Sequence, residues 1–199
     1  MKIAKITEGK AGRVVIQLED GPSFPLGKKE KRSLALEEGM ELREEQLKWM
    51  MEELIFPRGR NFLICLLASK DYTIKEIEQK LKKASYPESV IEQIISYGVE
   101  KHYLDDWRYA SDYIRFHKEG KSIRQLKYKL KEKGISESIL CELEEADDRE
   151  ALFLQVQRYW ERKKGTAYEK KAKTYQYFVR KGYPSGLVRE IIGQLEKGE

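Results

Sequence analysis

The chain has 199 residues, 40% of them apolar and 37% charged, with 39 basic side chains against 34 acidic ones for a formal net charge of +5. That apolar content supports one moderate domain or two small ones and excludes a mostly disordered chain. The charged share, well above the roughly 25% of an average globular protein, demands a large wet surface of the kind an elongated helical shape provides. No run approaches the roughly 18 uncharged apolar residues that span a bilayer, and the opening from Met1 to Lys10 is too polar for a signal peptide, so a cytoplasmic protein with no membrane contact is expected.

The first 27 residues carry short β-prone runs, Ile3, Ile6, Val14, Val15, Ile16 and Leu18, punctuated by Gly9, Gly12 and Gly21-Pro22. This pattern predicts a small hairpin or three-stranded element. From Lys28 the signals become helical, with a short stretch through Leu36, a break at Gly39, and then Leu42, Leu47, Met50, Met51 and Leu54. Pro57-Arg58-Gly59 reads as a domain boundary, because proline and glycine together interrupt helices. Acidic and basic residues nearly balance before it, so the positive excess lies beyond it.

After Pro57 the chain repeats itself with a period of about 49 residues. Thr73-Ile74 through Leu81 aligns without gaps on Ser122-Ile123 through Leu130, and the register continues from Tyr86-Pro87 and Val90-Ile91 to Ile135-Ser136 and Ile139-Leu140. A third copy places Phe178 on Leu130, Gly182-Tyr183-Pro184 on Gly134-Ile135-Ser136, and Leu187-Val188 on Ile139-Leu140. Each copy reads as three helices. The first helices are expected at Phe62 to Ala68, Asp105 to His117 and Asp148 to Trp160, with Asp105 and Asp148 as N-caps. The middle helices carry one buried stripe each, Ile123, Leu126 and Leu130 in the second copy and Tyr168, Ala172, Tyr175 and Phe178 in the third, and close at Gly134 or Gly182. The last helices open at Pro87, Ser136 or Pro184 and carry apolar pairs facing a core. The expected fold is therefore mainly α: an elongated array of three tandem three-helix repeats, at 57–102, 103–147 and 148–199, preceded by a small β-containing segment at 1–56. Neighbouring repeats are expected to stack, each covering apolar surface of the next.

The string Leu104-Asp105-Asp106-Trp107-Arg108-Tyr109-Ala110, followed by Tyr113-Ile114, Gly120-Lys121 and Lys133-Gly134-Ile135, resembles the central signature of the RecX regulatory proteins. Leu66-Leu67-Ala68 with Tyr72-Thr73 is similar to that family's first repeat, and Phe178 through Tyr183 to its last. Trp107 and Tyr109 stand where the family often has a small or acidic residue and Phe. The resemblance covers roughly 57–195, leaving the β-prone start outside it. It implies a curved molecule of tandem three-helix repeats that binds the RecA recombinase filament and usually inhibits it, in recombination and the SOS response.

Candidate chemistry is sparse. Cys65, Cys141, His102 and His117 fall in no metal-ligand spacing, neither His has a nucleophile partner, and no phosphate-binding loop is present, so no enzyme, cofactor or metal is expected. Each Cys reads as a buried, reduced thiol, and His117 as a half-buried packing residue. Asp105-Asp106 suits a helix start, with Arg108 as an ion-pair partner, better than a cation site.

The basic residues are the stronger lead. Lys121, Arg124, Lys127 and Lys131 are expected to share the side of the second repeat's middle helix away from its buried stripe, and Lys170, Lys173, Arg180 and Lys181 form a second cluster in the third repeat. Their alternative is an ordinary solvated surface. Most aromatics should be core, with Tyr128, between Lys127 and Lys129, an exposed anchor or stacking platform. The partner set expected from Arg108, Lys121, Arg124, Lys127, Tyr128, Lys131, Lys170, Lys173, Arg180 and Lys181 is the RecA filament, with DNA inside it as a further contact, bound by a monomer. Direct nucleic-acid binding is the rival reading.

Overall fold

The computed structural model describes residues 1–9, 12–118, 121–143 and 149–197. They form two compact units, Met1–Asp105 and Asp106–Glu199.

The first unit opens with β1 (Ile3–Glu8), β2 (Arg13–Leu18) and β3 (Ser23–Gly27), one antiparallel sheet in the order β1-β2-β3. Alternation along β2 buries Val14, Ile16 and Leu18 on one face, where Ile3, Phe24 and Leu26 join them. Pro25 sits on the edge strand β3, where a missing N–H breaks no ladder. Two short helices follow, α1 (Lys28–Ser33) and α2 (Glu44–Met50).

The expected break at Pro57-Arg58-Gly59 is helical instead. α2 continues through a π-helical turn, Met51–Ile55, into α3 (Phe56–Leu67), so the first helix of the first repeat begins at Phe56 and not at Phe62. Pro57 cannot donate to the carbonyl four residues back, and its ring would collide with it. The wider register just before it, in which the Phe56 N–H bonds the Met51 carbonyl, accommodates both problems. Gly59 is a packing residue: a Cβ there would overlap Ile94 Cδ1 and stand 3.1 Å from Tyr86 Cε1. The two signals that mark a linker in sequence thus record a helix irregularity and a close helix crossing. One apolar core runs from Ile3 to Leu104 across this point.

The three-helix repeats are α3, α4 (Ile74–Lys83) and α5 (Glu88–Glu100); α6 (Asp106–His117), α7 (Ile123–Glu132) and α8 (Glu137–Glu142); and α9 (Arg149–Arg162), α10 (Ala167–Arg180) and α11 (Ser185–Lys197). Asp148, the expected cap of α9, lies outside the described residues. Each middle helix starts on a hydroxyl: Thr73 accepts from the Glu76 N–H at 3.2 Å, Ser122 from Gln125 at 3.3 Å and Thr166 from Glu169 at 3.3 Å. Each ends in the same left-handed turn. The Tyr86, Ile135 and Tyr183 N–H groups reach back to the Leu81, Leu130 and Phe178 carbonyls at 3.1, 3.0 and 3.2 Å. Gly134 and Gly182 hold the left-handed position in the second and third repeats, as expected, whereas the first uses Ser85 at φ 63°.

The third repeat departs from the expected stripe. Its middle helix begins one turn earlier than the 48-residue offset predicts, at Thr166, and Tyr168 in that added turn is 82% exposed. The buried line is Thr174 and Phe178, with Ala172 and Tyr175 only half-buried. Thr174 occupies the place of Ile77 and Leu126, and its hydroxyl is buried with no hydrogen-bond partner among the described residues.

Other expectations also shift. Cys65 and Cys141 are both exposed, because each follows the inward-facing row of its helix by one or two positions, Leu63 in α3 and Leu140 in α8. His117 is exposed and stacks on Tyr113 at 4.2 Å, with Nδ1 2.8 Å from the Tyr113 carbonyl oxygen. Trp107 lies half in solvent, while Trp160 is buried in the third repeat.

The second and third repeats each close a separate apolar core. What joins them at the start of α7 is polar. The Ser122 hydroxyl, almost fully buried, accepts from the Gln125 N–H and donates to the Lys181 carbonyl at 2.8 Å, so one side chain caps the beginning of α7 and the end of α10. Gly182, at φ 86°, permits the approach: a Cβ there would stand 3.0 Å from Ser122 Oγ.

Three stability measurements check these assignments. Thr174→Val removes a buried unsatisfied hydroxyl and should stabilise the second unit by about 1 kcal/mol in denaturant unfolding. Gly59→Ala, which forces α3 away from α5, should cost about 1–3 kcal/mol in the first unit. Ser122→Ala removes both caps and should cost about 1–2 kcal/mol in the second unit, and unchanged unfolding would show that the joint carries no stability.

Candidate partner-binding groove

The Ser122 joint brings α7 and the closing turn of α10 side by side, and a groove of about 640 Å³ opens beside it. One wall is formed by two adjacent i, i+4 rows, Lys121, Gln125 and Lys129 with Arg124, Tyr128 and Glu132; the other by Val179, Arg180 and Gly182. Four cations face one carboxylate around this space. At such separations like charges repel, which leaves the groove electropositive and suited to an anionic partner. Tyr128 is 65% exposed, as its place between two lysines predicts, and presents its ring to solvent among the cations.

The ten expected contact residues divide. Lys121, Arg124, Tyr128 and Arg180 line the groove, and Lys129, outside the expected contact set, lines it with them. Lys127 and Lys131 form the next row of α7, nearer its buried stripe. Lys131 turns to Glu137 of α8 at 2.7 Å, and that hydrogen bond raises its pKa above the ordinary lysine value. Of the four charges expected to share one side, Lys121 and Arg124 line the groove and Lys127 and Lys131 do not.

In the third repeat Lys181 leans its Nζ over the Tyr177 and Phe178 rings, at 5.0 and 5.9 Å, while its carbonyl serves the joint. Lys170 covers Trp160 at 5.7 Å, Lys173 is exposed on α10, and Arg108 is exposed on α6; none of the three lines the groove. The missed Lys129 could have been found by carrying the i, i+4 row of Lys121 and Gln125 one step further.

Among the described residues no group of three His, Cys, Asp or Glu side chains is arranged to hold a metal ion, and no helix is long and apolar enough to cross a membrane.

Comparison with known proteins agrees with this architecture. The first, second and third three-helix domains of RecX match residues 64–97, 105–142 and 146–192. A "Regulatory protein RecX" of Streptococcus uberis is 26% identical over 98% of this chain and 77% of its own length, and one of Actinobacillus pleuropneumoniae is 30% identical over 62% of this chain and 83% of its own. A crystal structure of regulatory protein RecX superposes with a TM-score of 0.64 over 96% of this chain and 98% of that one, at 24% identity, and the structure of RecX from Lactobacillus salivarius with 0.67 over 71% and 96%, also at 24%. The streptococcal alignment and the first of these structures span nearly all of this chain, so the likeness extends into the N-terminal sheet that the sequence motifs left outside. With its three successive three-helix domains all matched in order, the chain belongs to the RecX family of regulatory proteins.

Proposed function

We propose that this protein is a cytoplasmic, monomeric modulator that binds the RecA–DNA filament and inhibits its ATP turnover, growth and strand exchange, with the groove between the second and third repeats as its principal contact. The observation that carries the reading is the cluster of Lys121, Arg124, Lys129 and Arg180 around the exposed Tyr128 ring. Membership of the RecX family supports the partner, and no chemistry of the chain's own is needed. A helical filament repeats its surfaces at regular intervals, so repeats in tandem can add weak contacts, and their sum gains from multivalency. Lys127, Lys131, Lys170, Lys173, Lys181 and Arg108 act as flanking charges outside the groove, with Lys131, Lys170 and Lys181 already engaged by neighbours.

Direct binding to single-stranded nucleic acid is the second reading, favoured by the one feature a protein surface does not require: an aromatic ring standing in solvent among four cations.

Reversing the groove charges, Lys121→Glu, Arg124→Glu, Lys129→Glu and Arg180→Glu, should weaken inhibition of RecA's DNA-dependent ATP hydrolysis by at least about tenfold, which requires only about 1.4 kcal/mol. Reversing Lys127 and Lys131 should have a smaller effect. The far-UV circular dichroism of both variants should match the parent, since the buried stripe of α7 is untouched. A groove variant inhibiting at the parent concentration would remove the groove from the contact, and no effect of the parent protein on the filament would remove the inhibitory function. Titration against bare single-stranded DNA at rising salt separates the second reading, whose phosphate-driven binding falls steeply with salt.

A further inference from the structure

One helix face of the first unit leaves a large aromatic ring unpartnered. Leu47 and Met50 of α2 and Ile55 of the π-helical turn are buried, which fixes the inward side of this segment. Trp49 lies outside that side, 47% exposed, and its ring makes no aromatic or cation contact among the described residues. Glu45 stands one turn before Trp49 and Glu53 about one turn after it, so the indole sits between two exposed carboxylates on one outward row.

The surroundings of the row run against the sign of the whole chain. Glu41, Glu44, Glu45, Glu52 and Glu53 stand against Arg43 and Lys48, in a chain whose formal net charge is +5. All seven side chains are exposed, and none makes an ion pair among the described residues. Glu53 lines a cavity of about 390 Å³ with Arg13 and Arg58 but pairs with neither, Arg58 being committed to Glu30 at 2.5 Å.

Trp is among the residue types most enriched at the energetic centres of protein interfaces, and its face attracts a cation better than that of Tyr or Phe. The carboxylates decide which partner fits. Nucleic-acid phosphates and anionic lipid headgroups would meet repulsion here, whereas a guanidinium or ammonium group is drawn to the ring and to both flanks. The spacing decides the partner's form. Successive members of the row are about 6 Å apart along the helix axis, and alternate residues on one side of an extended strand are about 6.8 Å apart. A strand with a cation at every second residue therefore sets one on the indole and one on each carboxylate.

We propose that the row of Glu45, Trp49 and Glu53 is a docking surface for an extended basic segment of a partner protein, with an arginine or lysine on the Trp49 ring and the cations two residues to either side paired to the carboxylates. The surface belongs to the first unit and is separate from the basic groove, and its test needs no filament.

The experiment is a fluorescence-anisotropy titration of a labelled Arg-Ser-Arg-Ser-Arg peptide with the full chain at fixed ionic strength. Saturable binding is expected, weakened about tenfold by Trp49→Ala and by Glu45→Gln with Glu53→Gln, and partly retained in Trp49→Phe, because a phenyl face holds a cation less well than an indole. An Arg-Arg-Arg-Ser-Ser peptide, equal in charge but unable to reach all three members of the row, should bind more weakly. Lys121→Gln with Arg124→Gln should leave binding unchanged, which separates this surface from the groove. The substituted carboxylates are exposed, so the double glutamine variant tests the charges without disturbing packing. No saturable binding by the parent, undiminished binding in Trp49→Ala or in the double glutamine variant, or equal affinity for the two peptides would each overturn the proposal. So would self-association of the parent in sedimentation that Trp49→Ala abolishes, because a second copy of this chain would then cover the row.

Discussion

A buried hydroxyl at the start of the middle helix is the constraint on which the first two repeats depend. The first N–H groups of a helix have no partner within it, and a helix that begins inside a core cannot leave them to water. Thr73 and Ser122, at equivalent places in successive repeats, are two of the three fully buried polar side chains among the described residues, and each caps its helix. In the third repeat the helix starts a turn earlier, its cap Thr166 is exposed, and the buried polar side chain is Thr174, deep in an apolar position with nothing to bond. The third repeat thus differs twice: its cap stands in solvent, and its buried polar side chain occupies a position that is apolar in the other two repeats, where it caps nothing.

Much of the fold was legible because the repeat carries its own punctuation. Thr73 and Ser122, Pro87 and Ser136, and Gly134 and Gly182 stand at fixed offsets, and each residue type favours the backbone state it occupies. The errors came where one residue type serves two physical ends. Pro57 and Gly59 read as a linker because proline and glycine usually stop helices, yet here a π turn absorbs one and Ile94 packs on the other. Tyr168 reads as core because it falls at helical spacing with Ala172, Tyr175 and Phe178, while the hydroxyl of Thr174 hides a position that the repeat offset assigns to the interior.

The basic site was half legible for a different reason. Periodicity places residues on a helix face, but it does not say where a neighbouring helix begins to cover that face. Lys127 and Lys131 share a side with Arg124 by spacing alone, and only the placement of α8, with Glu137 beside Lys131, separates them from the groove. Arg180 could be joined to that groove only by knowing that the end of α10 returns to the start of α7. A contact across 59 residues of sequence leaves no periodic trace in either segment.

That shared cap also limits how the molecule can be treated as a set of cassettes. The Lys181 carbonyl finds its donor in a different repeat, so the third repeat, excised by itself, would end its middle helix on an oxygen served by water alone and leave Ser122 with a proton to place elsewhere. An exchange of repeats between related chains would have to carry the serine and the glycine together, since Gly182 is what allows the two helix ends to meet. In this part of the protein the two repeats hold together across their joint, and the chain divides into its two compact units after Asp105.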